Sequence, residues 1–287
     1  MNFQPSRNTV NRLFMLTRFE NYLRNIKGYS ERTVSEYSKD LHGFARWIKH
    51  YYPSVRWSTL EREHIDAYIT ARASANIAPA TTNRELAAIS ALYRYFQREG
   101  LTDRNPAKYM SRRKTPKNIP STIPTEDLKQ AYAHAYGLVK VWIGLLATTG
   151  MRISEMQLLK WEDIDFEHNL IEIKGKGKKE RIVHTTSDAL EQLRDLKARC
   201  CVSGFIFGHY GQREMRYQIF KALQPYSTAK QLSPHAIRHT FATNLATNGV
   251  NVTTIASILG HNHIETTQKY IDLSQARREV ANRYSII

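Results

Sequence analysis

Apolar residues recur every three or four positions through the first hundred residues of the chain. This spacing lines one face of an α-helix, whereas a half-buried strand would alternate apolar and polar residues. Glycine, proline and capping residues divide the pattern into four runs, with boundaries at Gly28, Ser30, Pro53, Thr59, Pro79 and Gly100. Near the start of the second run, Thr33 and Glu36 have the spacing of a capping box. We therefore predict four helices packed as one small domain.

The periodicity stops at residues 101–124, which contain four prolines and a basic cluster. A proline-rich polar stretch between two periodic regions is typical of an interdomain linker, and a chain of 287 residues is long enough for two separate cores. We place a helical domain at 1–110, a linker at 111–124 and a second domain at 125–287.

The second domain combines helices with a short sheet. Helices are predicted near 125–136, near 138–149, up to Leu158, over 187–199 and again towards the C-terminus. Residues 170–174 and 180–184 alternate apolar and polar side chains around the sequence GKGKK, which predicts a β-hairpin. A further short strand is expected at 205–207. The expected fold class is therefore mainly α with a small β-sheet.

Both halves of the chain are cationic. The chain carries 42 Lys and Arg against 26 Asp and Glu, which gives a formal charge of +16. Residues 1–114 hold 20 basic and 10 acidic side chains, and the remainder holds 22 and 16. This distribution suits a clamp that grips one polyanion from two sides better than a basic tail on a neutral enzyme. A nucleic acid is the first expected partner.

The sequence shows no sign of export or of a membrane. It has no run of about 18 apolar residues, and its N-terminus lacks the basic, apolar and small-residue order of a signal peptide. We therefore expect a cytoplasmic protein with no membrane partner. Cys200 and Cys201 are adjacent, so they have neither the CxxC spacing of a zinc site nor that of a disulfide framework.

One pair of residues has a spacing that suits phosphate binding. Ser233 and Pro234 predict a helix start, which puts His235 and Arg238 on one face near the positive end of the helix dipole. An isolated pair of this kind more often satisfies a backbone carbonyl and a carboxylate. The pair gains meaning only from the residues that accompany it.

Four other residues have the same double interpretation. Arg152 follows a break in the helical pattern, and Glu155 comes three residues later, where its carboxylate can orient the guanidinium. Lys176 lies at the tip of the predicted hairpin, from which its ammonium can reach a bound duplex or simply remain solvated. Tyr270 has helical spacing, which is as typical of a core residue as of a catalytic one.

Five motifs, TGMRISE, GKGKKERIV, SPHAIRHTFAT, LGH and QKYID, follow one another along the second half of the chain. Together they resemble the tyrosine site-specific recombinases of the lambda-integrase family, most of all the compact Xer-type recombinases. The segments YSERTVSEYSKDLHGFARWI and TTNRELAAISALYRYF resemble the family's four-helix core-binding domain. Residues 125–287 resemble its α+β catalytic domain with a C-terminal subunit-exchange segment. The resemblance covers nearly the whole chain.

The resemblance implies a DNA recombinase that cleaves and rejoins strands through a 3′-phosphotyrosyl intermediate and a Holliday junction. In this sequence it makes Tyr270 the nucleophile, assigns Arg152 and Arg238 to the scissile phosphate, and puts Glu155 at the acidic position. The implied site is completed by Lys176, His235 and His261. Xer-like dimer resolution and mobile-element integration or excision are both compatible with it.

The residue types agree with this chemistry. Guanidinium groups donate several hydrogen bonds to the extra negative charge of a five-coordinate phosphate, so no metal cofactor is expected. A tyrosine, whose ordinary pKa is about 10, needs a base, and His235 is the candidate. Lys176 is the expected general acid for the leaving 5′ oxygen. Because the phosphotyrosyl ester keeps the energy of the cleaved ester, rejoining needs no ATP.

DNA contacts are expected at two helix starts and after the hairpin, where backbone amides and polar side chains combine. The candidates are Ser30, Arg32, Thr33, Thr82, Asn83, Arg84 and Arg181. Helix capping explains the candidates at the helix starts nearly as well. Since recombination needs two duplexes and four cleavages, we expect a homotetramer assembled on DNA through the C-terminal segment, with an accessory or activating protein as a further partner.

Three alternatives remain open. A helical DNA-binding regulator would keep the shape without the chemistry. A metal site at His235, His239, His261 and His263 is disfavoured because Arg238, between the first two, would repel a cation. A type IB topoisomerase uses similar chemistry and would relax supercoils without a defined site.

Overall fold

The computed structural model describes residues 7–116, 120–175, 180–199 and 204–260. The chain divides into two compact units, Met1–Lys117 and Asn118–Ile287. The sequence-based boundaries of the core-binding domain, linker and catalytic domain stay a prediction. In the described part of the chain, no helix is both long and apolar enough to cross a membrane.

The described residues of the first unit form four α-helices: α1 (Arg7–Asn25), α2 (Glu31–Tyr51), α3 (Arg62–Ser74) and α4 (Pro79–Arg98). The α4 helix packs on α2 and α3, and α1 packs on α2. The apolar stripes meet in one core, in which Phe19, Phe44, Ile65 and Leu92 are buried. Burial of these stripes, more than intrinsic propensity, stabilises the helices.

The start of α2 differs from the predicted capping box. Ser30 is the N-cap, and its hydroxyl accepts a hydrogen bond from the backbone N–H of Thr33 at 3.4 Å. Glu36 therefore lies one turn too far along to close a box. Its carboxylate instead accepts a hydrogen bond from Arg84 at 2.7 Å.

The second unit surrounds α6 with other helices and a sheet. Its elements are α5 (Thr125–His134), α6 (Gly137–Thr149), α7 (Ile153–Met156), β1 (Ile164–Asp165), β2 (Leu170–Lys174), β3 (Glu180–His184), α8 (Ser187–Arg199), α9 (Gln212–Leu223), α10 (Pro234–Thr247) and α11 (Val252–Leu259). The α6 helix is apolar on nearly all sides because α8, α9 and α10 all pack against it.

The sheet is antiparallel, in the order β1, β2, β3, with Ile171 opposite Val183 and Ile173 opposite Arg181. This architecture confirms the predicted fold class and the predicted hairpin. The predicted strand at 205–207 is wrong, since Phe205 makes only an isolated bridge with Lys160. The two apolar residues that follow Phe205 are buried in a turn, so their run reflects core filling and not a strand.

Both ends of the predicted linker are held by hydrogen bonds. At one end, Asn83 exchanges two hydrogen bonds with the backbone of Arg113, at 2.8 and 2.9 Å, and the Arg113 guanidinium donates to the carbonyl of Ile77 at 2.8 Å. At the other end, the backbone N–H of Ile123 donates to the hydroxyl of Thr240 at 2.8 Å. The predicted linker is thus anchored within each unit.

Candidate active site

The turn after α6 is built around Gly150. This residue has φ of +61°, a left-handed conformation that a residue with a side chain adopts at a cost. A Cβ at this position would also overlap the side chains of Phe241 and Leu259. Only glycine fits the turn, which leads directly into Arg152 at the start of α7.

The carboxylate of Glu155 lies at the centre of the cluster. It accepts from the backbone N–H of Arg152 at 2.8 Å and from the Arg152 guanidinium at 2.7 Å. The Arg181 guanidinium approaches it with two nitrogens, at 2.8 and 3.2 Å. Burial alone would raise the pKa of Glu155, but the hydrogen bonds from Arg181 and Arg152 outweigh it and lower that pKa. Glu155 is therefore ionised at neutral pH.

Arg238 comes to the same place from α10. Ser233 caps this helix and Pro234 occupies its first turn, as the sequence predicted. The side chain of Arg238 is only 2% exposed, and it donates to the carbonyls of Gly150 and Leu259, both at 2.6 Å. Its Nη1 also lies 3.9 Å from a carboxylate oxygen of Glu155. The guanidinium is therefore held in one orientation by two backbone segments.

His235 lies one turn before Arg238 on α10, and its ring is 5.1 Å from that of His239. Burial lowers the pKa of His235 below its ordinary value of 6.5, and the positive charges of Arg238, Arg152 and Arg216 lower it further. The imidazole is therefore neutral at pH 7 and can accept a proton.

The cluster as a whole carries a net positive charge. Three guanidinium groups, from Arg152, Arg181 and Arg238, surround the single carboxylate of Glu155. The excess of positive charge lies where water is partly excluded, which strengthens its interaction with a phosphate group. The side chain of Arg152 is 37% exposed, so it forms the solvent-accessible edge of this cluster.

The structure brings together four of the seven predicted catalytic residues: Arg152, Glu155, His235 and Arg238. Lys176, His261 and Tyr270 lie outside the described residues. Lys174 and Glu180, which lie on either side of Lys176 in sequence, belong to the paired strands β2 and β3.

The predicted DNA contacts in the first unit are mostly engaged within the protein. Ser30 caps α2 through the backbone N–H of Thr33, the two hydroxyls also contact each other, and Asn83 holds the backbone of Arg113. Arg32 is exposed, so it alone of these is presented to solvent without such a contact in the described chain.

Two further candidates have clear structural partners. Thr82 is 1% exposed and its hydroxyl donates to the carbonyl of Pro79 at 3.0 Å, so the structure does not support a direct DNA contact for it. Arg84 binds Asp40 with two nitrogens, at 2.8 and 2.9 Å, in addition to Glu36. No local pattern indicates the Asp40 partner, because it lies 44 positions away in sequence.

Arg181 is the residue whose partners sequence reasoning missed. The sequence predicts that it touches the DNA backbone, but its side chain is 11% exposed and faces Glu155 and the end of α11. Because Glu155 and Ile258 lie far from Arg181 in sequence, no local sequence pattern indicates these contacts. Among the described residues, no group of three His, Cys, Asp or Glu side chains lies close enough to hold a metal ion.

Comparison with known protein families agrees with the geometry. Residues 116–277 match the Phage integrase family, and residues 16–100 match the Phage integrase N-terminal SAM-like domain. The chain belongs to the phage integrase family. It is a tyrosine recombinase, as the ordered motifs predicted.

Two relatives named tyrosine recombinase XerC are similar to this recombinase over nearly their whole length. The protein from Pediococcus pentosaceus is 28% identical, over 94% of this chain and 96% of its own. The protein from Chlamydia trachomatis serovar L2 is 30% identical, over 89% of this chain and 92% of its own. The recombinase is therefore most like the Xer type.

A solved structure shares the fold. It is the XerH site-specific recombinase bound to a palindromic difH substrate, in a post-cleavage complex. The match has a TM-score of 0.77, covers 98% of this chain and 89% of that chain, and has 17% sequence identity. At this level of identity the likeness concerns the fold.

Proposed function

We propose that this recombinase cleaves and rejoins double-stranded DNA at a specific core site, through a 3′-phosphotyrosyl intermediate formed by Tyr270. The observation that carries the proposal is the cluster of Arg152, Glu155 and Arg238 beside the neutral imidazole of His235. Fixed guanidinium groups can stabilise the developing charge on a phosphodiester without reorganising during the reaction.

In the cleavage step, the phenolic oxygen of Tyr270 forms a bond to phosphorus, and the bond from phosphorus to the 5′ oxygen breaks. The phenolic proton passes to His235, which is uncharged at neutral pH. The leaving 5′ oxygen takes a proton from Lys176. The products are a 3′-phosphotyrosyl ester and a free 5′-hydroxyl. Arg152 and Arg238 hold the two non-bridging oxygens throughout.

Rejoining reverses these steps with a 5′-hydroxyl from another strand. One phosphoester replaces another, so the exchange is nearly isoenergetic and needs neither ATP nor a metal cofactor. Two successive pairs of exchanges pass through a Holliday junction. Four active sites are needed for two duplexes, so we propose a homotetramer on DNA that assembles through the C-terminal segment of 125–287, with an accessory protein as a candidate activator.

Binding to duplex DNA is supported by charge and by similar folds. Both halves of the chain carry excess positive charge. The XerH structure contains its difH substrate, and a lambda integrase dimer with a similar fold, at a TM-score of 0.69 and 17% identity, is bound to a COC′ core site. We propose that residues 1–110 act as a DNA-binding clamp domain.

Adduct trapping tests this function and identifies the target site in the same experiment. Fragmented genomic DNA from the source organism, nicked at random, is incubated with the protein, and covalent adducts are isolated under denaturing conditions and sequenced. A common core sequence attached to Tyr270 is the expected result, and Tyr270→Phe should bind DNA without forming adducts. Equal adduct yield from Tyr270→Phe would disprove the nucleophile.

The trapped sequence also separates the two biological roles. A single site near the chromosome terminus favours Xer-like dimer resolution, whereas sites at the ends of a mobile element favour integration and excision. Adducts without a shared sequence, together with relaxation of supercoils, would instead favour a topoisomerase activity.

A further inference from the structure

Arg181 joins two parts of the second unit that are far apart in sequence. Its Nη1 and Nη2 atoms lie 3.2 and 2.8 Å from the two carboxylate oxygens of Glu155. Its Nε donates to the carbonyl of Ile258 in α11 at 2.7 Å. One planar guanidinium therefore makes hydrogen bonds from all three of its nitrogens, which a lysine cannot reproduce.

The turn that ends α11 is closely packed against the same side chain. Gly260 has φ of +62°, and a Cβ at this position would lie 3.0 Å from Nη1 of Arg181. The Leu259 carbonyl in this turn accepts from Arg238 at 2.6 Å. The end of α11 is thus held by two arginines, one from β3 and one from α10, and both also approach Glu155.

We infer that Arg181 is a positioning residue of the recombinase, which holds Glu155, and through it Arg152, in register with the end of α11. The inference rests on the proposed function of this cluster. With Arg181 in place, the Glu155 carboxylate is fixed by bonds from two sides, and the Arg152 guanidinium is aimed by that carboxylate at 2.7 Å. Arg181 acts through Glu155 and does not itself contact DNA.

This role makes a specific demand on β3. The strand partner of Arg181 across the hairpin is Ile173, which is buried, so Arg181 points towards the interior and not along the exposed face. An arginine placed inside a unit needs a counter-charge, and Glu155 supplies it. The neighbouring pair of Lys174 and Asp163 fixes the base of the same hairpin without touching Glu155, which provides a matched control.

The test compares Arg181→Gln with Lys174→Gln, alone and combined with Glu155→Gln. The probe is a suicide duplex built from the core sequence recovered by adduct trapping. Single-turnover adduct formation, the Kd for the intact duplex and its salt dependence are measured for each protein. For Arg181→Gln we expect adduct formation to slow by about 100-fold, as for a misplaced catalytic group, with the Kd and its salt dependence unchanged.

The double variants identify the path of the effect. If Arg181 acts through Glu155, Arg181→Gln with Glu155→Gln should be no slower than the worse single variant, within about twofold. For Lys174→Gln combined with Glu155→Gln, the fold-losses in the rate of adduct formation should instead multiply. Arg181→Lys, which keeps the charge, should be intermediate in rate, and it replaces Arg181→Gln if thermal unfolding shows that the glutamine variant does not fold.

Three results would overturn the inference. The first is multiplicative losses in the Arg181 and Glu155 double variant. The second is unchanged adduct formation in Arg181→Gln. The third is weaker DNA binding with a salt slope reduced by about one, which is expected of a direct phosphate contact. If the wild-type protein itself forms no adduct, the proposed function fails instead, so the two failures are distinguishable.

Discussion

Nη1 of Arg238 donates a hydrogen bond to the carbonyl oxygen of Gly150 at 2.6 Å, across 88 positions of sequence. The bond joins the N-terminal half of α10 to the turn that carries Arg152. Because Gly150 has a left-handed φ, its carbonyl is directed away from the α6 hydrogen-bonding pattern and towards the guanidinium. The two arginines proposed to bind one phosphate are therefore fixed relative to each other by the backbone itself.

The bond predicts that Arg238→Lys will be a poor substitution. A lysine carries the charge but cannot reach the Gly150 and Leu259 carbonyls at once with a planar group. We expect adduct formation to fall by about 100- to 1,000-fold and the free energy of unfolding to fall by about 1–3 kcal/mol, since a buried carbonyl loses its donor. Single-turnover assays and urea denaturation measure the two effects.

The control for this prediction is Arg213→Lys on α9, where the side chain is exposed. This variant should match the wild-type protein in both measurements. Normal adduct formation by Arg238→Lys would contradict the proposed role of the bidentate guanidinium.

The turn itself can be tested with Gly150→Ala. The left-handed φ alone should lower the free energy of unfolding by about 1–3 kcal/mol, and the overlap with Phe241 and Leu259 adds to this cost. Gly43→Ala is the matched control, because Gly43 lies inside α2 with open space where a Cβ would lie. The control should instead be stabilised by about 0.5–1 kcal/mol. Equal stabilities of the two variants by urea denaturation would show that the turn does not require glycine.

Local patterns in the sequence predicted most of the fold. The strands 170–174 and 180–184 have the bounds that the sequence predicts, because alternation is a property of the strand itself. The two residues of β1 are too few to show any period, and the burial of Phe207 in a turn looks like a strand in sequence. In both segments, β1 and the turn at Phe207, packing against the rest of the unit determines the local structure.

The candidate site was only partly predictable for a related reason. Spacing placed Arg152 beside Glu155 and His235 beside Arg238, since both pairs lie on single helical turns. The bonds that unite these pairs, through Arg181 and through the Gly150 turn, join positions 26 to 88 residues apart. Such contacts follow from packing and leave no periodic pattern in one sequence.

Arg84 in the first unit can be tested for two different roles, stabilisation of the fold and direct contact with DNA. Its guanidinium binds the Asp40 carboxylate with two nitrogens, and that carboxylate is only 5% exposed. Removing Arg84 leaves a buried carboxylate without its partner, so Arg84→Ala should lower the free energy of unfolding. Because Arg84 is 39% exposed, we expect about 1–3 kcal/mol, less than for a fully buried pair.

Two further variants make this prediction specific. Asp40→Asn in the Arg84→Ala background should recover part of the loss, since it removes the unpaired charge. Arg62→Ala, which breaks the exposed pair with Asp66, should change stability by less than about 0.5 kcal/mol. Unchanged stability of Arg84→Ala together with weaker DNA binding would favour the sequence-based expectation of a DNA contact.

The lowered pKa of His235 leads to a prediction for the pH dependence of cleavage. Burial and the charges of Arg238, Arg152 and Arg216 hold its pKa below 6.5, so the imidazole should remain a competent base from neutral pH down to mildly acid pH. Adduct formation should therefore decline only below pH 6.5, measured with DNA well below its Kd so that the free enzyme's pKa is reported. Arg216→Ala removes one positive charge and should move this acid limb to higher pH, whereas Arg213→Ala should not.

The lowered pKa of His235 also affects stability, because the same residue titrates at a higher pH in the unfolded chain. In the unfolded chain His235 titrates near its ordinary 6.5, so on acidification it binds a proton before the folded protein does. Its contribution therefore makes the free energy of unfolding fall as the pH drops from about 6.5 towards the lower folded pKa. His235→Gln should lessen this slope in urea denaturation curves collected between those values, while Arg216→Ala should shift its lower end upwards. A slope that His235→Gln leaves unchanged would show that another group sets the pH dependence of stability in this range. An acid limb of cleavage that Arg216→Ala moves to lower pH would remove His235 from its role as the base.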